Sequence, residues 1–168
     1  MDILIRQATH DEYGDLGEIT AQAYLHDGLL GFDDSGWYVG ELRDVAKRAA
    51  AAEVLVAARD DTLLGGVTFV PSAGPMTDIA GPGEAEIRML AVAPAARGQG
   101  VGEALVRACV ERARATEGCV RVVLSTQRAM HAAHRIYERL GFLRTPERDW
   151  NPLPDRPDIT LVAYELTL

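Results

Sequence analysis

Three glycines at alternate positions, in Arg97-Gly98-Gln99-Gly100-Val101-Gly102, separate an apolar run over residues 85–93 from a helical pattern over residues 100–115. Missing Cβ atoms let backbone N–H groups close on a ligand. A helix that starts at this point presents unpaired N–H donors and the positive end of its dipole, a natural seat for phosphate or pyrophosphate. Arg97 adds a charged fork. Taken alone, the pattern is equally that of a tight strand–helix connection, and two other phosphate-binding designs are tested by spacing. A P-loop ends in Gly-Lys-Ser/Thr, whereas Gly102 is followed by Glu103 and Ala104. A dinucleotide fold needs G-x-G-x-x-G and an acidic residue after the next strand. Here the glycines run G-x-G-x-G and that position holds Ser125.

The rest of the chain frames this turn. Residues 3–7 alternate and read as a strand, and Thr9 with Glu12 offers a capping box ahead of a helix through about Leu25. A second helix is expected over residues 38–52. Apolar runs over residues 54–59 and 62–70 meet across Asp60-Asp61 as a hairpin. Further strands are expected over 121–125, 142–148 and 159–166, with a short helix over 130–140 stopped by Gly141. The order β-α-α-β-β-β-α-β-α-β-β combines hairpins and crossovers. It implies an α/β (α+β) domain spanning 1–168, with a mixed sheet and helices on both faces.

Charge and cysteine usage narrow the partners. A formal net charge of −8 over 168 residues argues against a nucleic-acid partner. No apolar run is long enough to span a bilayer, and the N-terminus lacks the layout of a signal peptide, so a cytoplasmic location is expected. The two cysteines, Cys109 and Cys119, form no metal-like spacing with the four histidines, and no metal is expected.

Arg97 to Gly102 fits a Gln/Arg-x-x-Gly-x-Gly/Ala pattern. The preceding Glu86-Ile87-Arg88-Met89-Leu90-Ala91-Val92-Ala93-Pro94 and the later Ala133-His134-Arg135-Ile136-Tyr137-Glu138-Arg139-Leu140-Gly141-Phe142 accompany it in order. Together these blocks resemble the GNAT superfamily, the GCN5-related N-acetyltransferases, over about a third of the chain. The resemblance implies a mostly antiparallel central sheet of about seven strands. It implies acetyl-CoA as cosubstrate and an amine of a small molecule or peptide as acceptor; a homodimer is compatible with it. By the same resemblance Leu90, Ala91 and Val92 would pair with the pantetheine arm. Arg97, Gly98, Gln99, Gly100, Val101 and Gly102 would hold the pyrophosphate, Ala133 would border the cofactor, and Tyr137 would face the thioester sulfur. Many relatives have an asparagine where this chain has Met130; Ser125, Gln127 or water would take over that contact.

Acetyl transfer to an amine requires a base, because an alkyl ammonium with a pKa near 10.4 is mostly protonated at neutral pH. It also requires an acid for the departing thiolate. Tyr137 is the expected acid, the competing role being core packing. Glu86 is the expected base, competing with a plain salt bridge to Arg88, and Glu84 is a weaker base candidate. Tyr24, His26, Asp33, Asp34, Trp37 and Tyr38 are expected to select the acceptor, with Asp149 and Trp150 at the border of the same cleft. Aromatic walls with carboxylates suit an ammonium group. Direct transfer is favoured over an acyl-enzyme because no base activates either cysteine. The alternatives that stay open are an acyl-CoA-binding sensor or interaction domain with little catalysis, and a dinucleotide-binding protein.

Overall fold

The alternation at the N-terminus forms strand β1 (Leu4–Gln7) in the computed structural model, which describes residues 2–33 and 35–168. The Glu12 carboxylate accepts the Thr9 N–H at 2.9 Å, as a capping box requires. It opens a 3-10 turn, His10–Glu12, and helix α1 (Tyr13–His26) follows.

The single helix expected over residues 38–52 is two: α2 (Trp37–Arg43) and α3 (Val45–Ala51). Asp44 breaks the run. Its side chain accepts from Lys47 N–H at 3.1 Å and starts α3. The buried Arg48 then donates to the carbonyls of Glu41 (2.7 Å) and Leu42 (3.1 Å), which satisfies the exposed end of α2.

Strands β2 (Glu53–Arg59) and β3 (Thr62–Val70) form the expected hairpin, with Asp60 at φ +53° in its two-residue turn. A long loop leads to β4 (Glu84–Val92), and then the glycine turn to α4 (Val101–Arg114). Strand β5 (Arg121–Gln127), α5 (His131–Arg139), β6 (Leu143–Arg144) and β7 (Leu161–Thr167) complete the chain. β6 is far shorter than the expected 142–148, because Pro146 starts a 3-10 turn over Pro146–Arg148.

The seven strands lie in the order β1-β2-β3-β4-β5-β7-β6. Every neighbouring pair is antiparallel except β4 with β5, which α4 joins as a crossover. Leu105 and Cys109 of α4 are fully buried against the sheet with Phe69 and Leu124. Leu16 of α1 packs with Val54 and Val56 in a second cluster. Among the described residues no helix is long and apolar enough to cross a membrane.

Candidate active site

The parallel ladder between β4 and β5 ends at Ile87↔Leu124, although both strands continue. The strands part beyond that point, leaving one edge of β4 unpaired at the carboxyl ends of two parallel strands, the usual place for a ligand in such sheets. A bulge enlarges the opening. Thr68 pairs Arg88 and Gly66 pairs Ala91, so Met89 and Leu90 both oppose Val67. Met89 has φ +55°, a left-handed backbone that costs a non-glycine residue roughly 1–2 kcal/mol. Gly65 lets β4 approach closely here, and Gly66 clears room for α1. A Cβ on Gly65 would strike the Ala91 carbonyl oxygen, and one on Gly66 would lie 2.6 Å from Leu16 Cδ1.

Two cavities meet at this opening and share Tyr24, Leu90 and Met130. The larger, about 600 Å³, is a trough along β4 and the start of α4. Leu90, Ala91 and Val92 line it from β4. Arg97, Gly98, Gly100, Val101 and Gly102 line it from the turn, and Ala133 from α5. Gly98 (φ +77°) and Gly100 (φ +81°) take the left-handed backbone that favours glycine. A Cβ on Gly102 would sit 2.8 Å from Ile136 Cδ1. The first helical bond is Ala104 N–H to the Gly100 carbonyl (3.0 Å), so the amides before it point out of the helix start. Gln99 does not line the trough; its Oε1 accepts from Arg59 at 2.6 Å. Arg97 is shared, pairing with Asp27 at 2.7 Å and reaching the Val92 carbonyl at 3.4 Å. Arg135, not among the residues expected at the cofactor, also lines the trough and forms no ion pair among the described residues. Its neighbour Arg139 is tied to Glu103 at 3.0 Å.

The smaller cavity, about 410 Å³, is walled by Tyr24, Phe32, Trp37, Tyr38 and Trp150 and floored by Arg88, Met89 and Leu90. Three of the expected acceptor-selecting residues, Tyr24, Trp37 and Tyr38, therefore come together, as does Trp150. Asp33 and His26 do not line it: Asp33 Oδ2 caps α2 by accepting from Tyr38 and Val39 N–H (3.1 and 3.0 Å). Asp149 is bound to Arg144 at 2.6 Å. Asp34 lies outside the described residues. Ser125 and Gln127 line this cleft but not the trough, and Met130 borders both.

Tyr137 lines the cleft rather than the trough, 4% exposed, its ring tilted against those of Phe142 and Tyr164. Burial pushes its hydroxyl well above the usual tyrosine pKa, so it stays protonated through the neutral range. Its hydroxyl bonds no protein atom among the described residues. Cys109 is 0% exposed, and burial raises its thiol too, so it does not reach either cavity as a nucleophile.

Glu86 is placed differently from the base that its position on the strand suggested. It is 0% exposed and absent from the cleft lining. Its Oε1 accepts the backbone N–H groups of Asp78 (3.0 Å), Ile79 (2.9 Å) and Ala80 (2.9 Å). Burial raises its pKa, against the lowering effect of those amides. Nor does it pair with Arg88, whose Nε lies 3.2 Å from Asp78 Oδ2 and whose Nη1 donates to the Met76 carbonyl at 2.9 Å. Glu84 is likewise taken up, at 2.7 Å from Arg148 and 2.9 Å from Arg121, and its pKa is lowered to about 2, chiefly by Arg148. The carboxylate that does enter the cleft is Asp78, delivered by the loop that Glu86 anchors. Burial holds Asp78 above the usual aspartate range. The sequence offered one unused signal for this architecture: paired glycines inside a strand mark a bulge or a close backbone approach.

The trough has what coenzyme A would need: an unpaired strand edge, outward amides at a helix start, glycines that clear the approach, and Arg135, without an ion pair among the described residues. Among the described residues no group of three or more His, Cys, Asp or Glu side chains could hold a metal. Known proteins agree with this architecture. The Thermoplasma acidophilum PaiA N-acetyltransferase, solved with coenzyme A, is similar to all of the chain over all of its own length at 16% identity and TM-score 0.72. The Salmonella typhimurium protein yncA, solved with acetyl-CoA, matches 99% of the chain and 94% of its own at 22% identity and TM-score 0.71. In sequence, the mycothiol acetyltransferase of Salinispora tropica is 32% identical over 142 residues, 75% of this chain. The chain spans 45% of that relative's length. The profile of the acetyltransferase (GNAT) family matches residues 16–142, from the first turn of α1 to the residue before β6. Strand, bulge, glycine turn and tyrosine helix all fall inside that span, and the chain belongs to the GNAT acetyltransferase family.

Proposed function

We propose that the protein is an N-acetyltransferase that moves an acetyl group from acetyl-CoA to a primary amine of a small molecule or peptide by direct attack. The observation that carries this reading is the junction of the two cavities at Leu90, beside Tyr137, where β4 leaves β5. Acetyl-CoA would supply the acyl group as an activated thioester. The β4 edge at Leu90–Val92 would bind the pantetheine arm, and the amides from Arg97 to Gly102, with Arg135, would hold its phosphates. A bulge leaves its extra residue out of the ladder, and a backbone N–H there would suit a developing oxyanion. Tyr137 would donate its hydroxyl proton toward the leaving sulfur.

Proton removal from the acceptor falls to Asp78 in this reading, because a base must reach the group it deprotonates. Asp78 lines the cleft, while Glu86 supports it from beneath. The test is thiol release from acetyl-CoA in the presence of amino acids, polyamines, aminoglycosides and peptide N-termini. Amine-dependent release, with acetylated product and no acetylated protein by intact mass, is expected. Coenzyme A binding without release across the panel would refute catalysis.

A further inference from the structure

Asp78 and Arg88 stand side by side in the acceptor cleft, Nε to Oδ2 at 3.2 Å, with their side chains 28% and 19% exposed. The pair is not saturated. Arg88 Nη1 is taken by the Met76 carbonyl, but Nη2 bonds no protein atom among the described residues, and neither does Asp78 Oδ1. Both charges also rest on fixed supports. The Asp78, Ile79 and Ala80 amides are bound to Glu86, the Ile79 carbonyl accepts from Arg148 at 3.0 Å, and Arg88 stands next to the Met89 bulge. One fixed negative and one fixed positive group thus face the cleft with a free valence each. The remaining acid in the lining, Glu41, is held by Lys47 at 2.9 Å.

A monoamine would leave the Arg88 valence unused. A polyamine would bring a second cation up to the guanidinium, a like-charge contact. A ligand with an ammonium and a carboxylate on one carbon answers both groups and lets Arg88 bind the carboxylate as a charge-assisted donor. The walls above the pair, Tyr24, Phe32, Trp37, Tyr38 and Trp150, are aromatic, and a volume of about 410 Å³ suits a small molecule. Building on the reading of this cleft as the acceptor site, we infer that the acceptor is a zwitterion, an α-amino acid with an apolar or aromatic side chain. Asp78 holds its ammonium and Arg88 its carboxylate.

The experiment is equilibrium binding in the presence of coenzyme A, followed by the fluorescence of Trp37 and Trp150 and by calorimetry. The ligands are leucine, methionine, phenylalanine and tryptophan, each beside its decarboxylated amine, its deaminated acid and its carboxamide. At least one amino acid should bind tenfold or more tighter than its three counterparts. Arg88→Gln should bring the ratio of amino acid to carboxamide near one, and Asp78→Asn the ratio of amino acid to deaminated acid. Both variants should keep wild-type affinity for coenzyme A, which reports an intact fold. Binding of the simple amine or the carboxamide as tight as that of the amino acid overturns the inference. So does a preference that survives Arg88→Gln, or no binding by any ligand of the set. Thiol release with decarboxylated amines and none with amino acids sinks this inference alone. Tight amino-acid binding without thiol release sinks the catalytic reading alone.

Discussion

Replacing Glu86 separates two roles that a strand glutamate can play beneath an acceptor cleft. As a base, its loss removes the proton acceptor. As an anchor, its loss frees the loop that carries Asp78. Three of its four amide bonds end on Oε1, at 2.9–3.0 Å, and the fourth runs from Asp78 N–H to Oε2 at 3.1 Å. Glu86→Gln can keep its carbonyl oxygen at the Oε1 position and so retain three bonds, now to a neutral acceptor. Over its three N–H donors, bonds to a charged group contribute about 1.5–3 kcal/mol each and neutral ones about 1, so the loss is roughly 1.5–6 kcal/mol. Removing a buried charge returns several kcal/mol of desolvation, and the net change should lie within about 1 kcal/mol. Glu86→Ala loses every bond, and with loop amides free to turn toward water should cost about 3 kcal/mol. For a chain of this length that lowers Tm by roughly 6–12 °C. Scanning calorimetry gives the stabilities and steady-state thiol release gives kcat, KM and the pH profile. The glutamine variant should keep kcat within a few-fold at an unchanged pH profile, with any defect in the acceptor KM. If instead it loses two orders of magnitude in kcat at wild-type Tm and recovers at alkaline pH, Glu86 is the base and the anchor argument fails.

Tyr137→Phe should lower kcat roughly 10²-fold, the scale of one positioned acid, while the calorimetric affinity for coenzyme A stays put; unchanged turnover with chemistry rate-limiting removes its role. Gly100→Ala meets no atom within 4 Å, so only its φ of +81° is penalised. It should cost about 1–2 kcal/mol and weaken coenzyme A binding, and unaltered Tm and affinity would show that the left-handed turn is dispensable. Glu84, with its pKa lowered from the usual 4.5 to about 2, contributes stability that is complete above pH 4.5 and is lost as pH falls through 2. Glu84→Gln should therefore be less stable at neutral pH by up to about 3 kcal/mol, with a flatter dependence of urea-unfolding free energy between pH 5 and 2; parallel wild-type and variant curves would contradict the pairing.

What the sequence made legible was local. The alternating strands, the Asp60–Asp61 turn and the glycine turn each carry their cause within a few residues, and the structure has them where the pattern put them. The division of the second helix is not legible locally, because Asp44 looks like any polar residue in a helical run and only its bond from Lys47 N–H marks the break. β6 is shorter than the run over 142–148 suggests because Pro146 stops it. Asp78 was invisible for another reason. It lies in a loop without periodicity and reaches the cleft through a bond to Glu86 and another from Arg148, 69 positions after Ile79. Strand context placed Glu86 on β4 correctly, but nothing local tells whether a preceding loop will fold back over its carboxylate.

Tyr24, Leu90 and Met130 stand in the wall between the two cavities, so neither ligand meets a finished pocket alone. On the proposed reading, acetyl-CoA in the trough would bring its acetyl end to Leu90, on the floor of the cleft. The donor would then form part of the acceptor's binding surface. The kinetic expectation is an ordered sequence, donor on first and free coenzyme A off last, checked by product inhibition. In that sequence product coenzyme A competes with acetyl-CoA for the enzyme and opposes the acceptor noncompetitively.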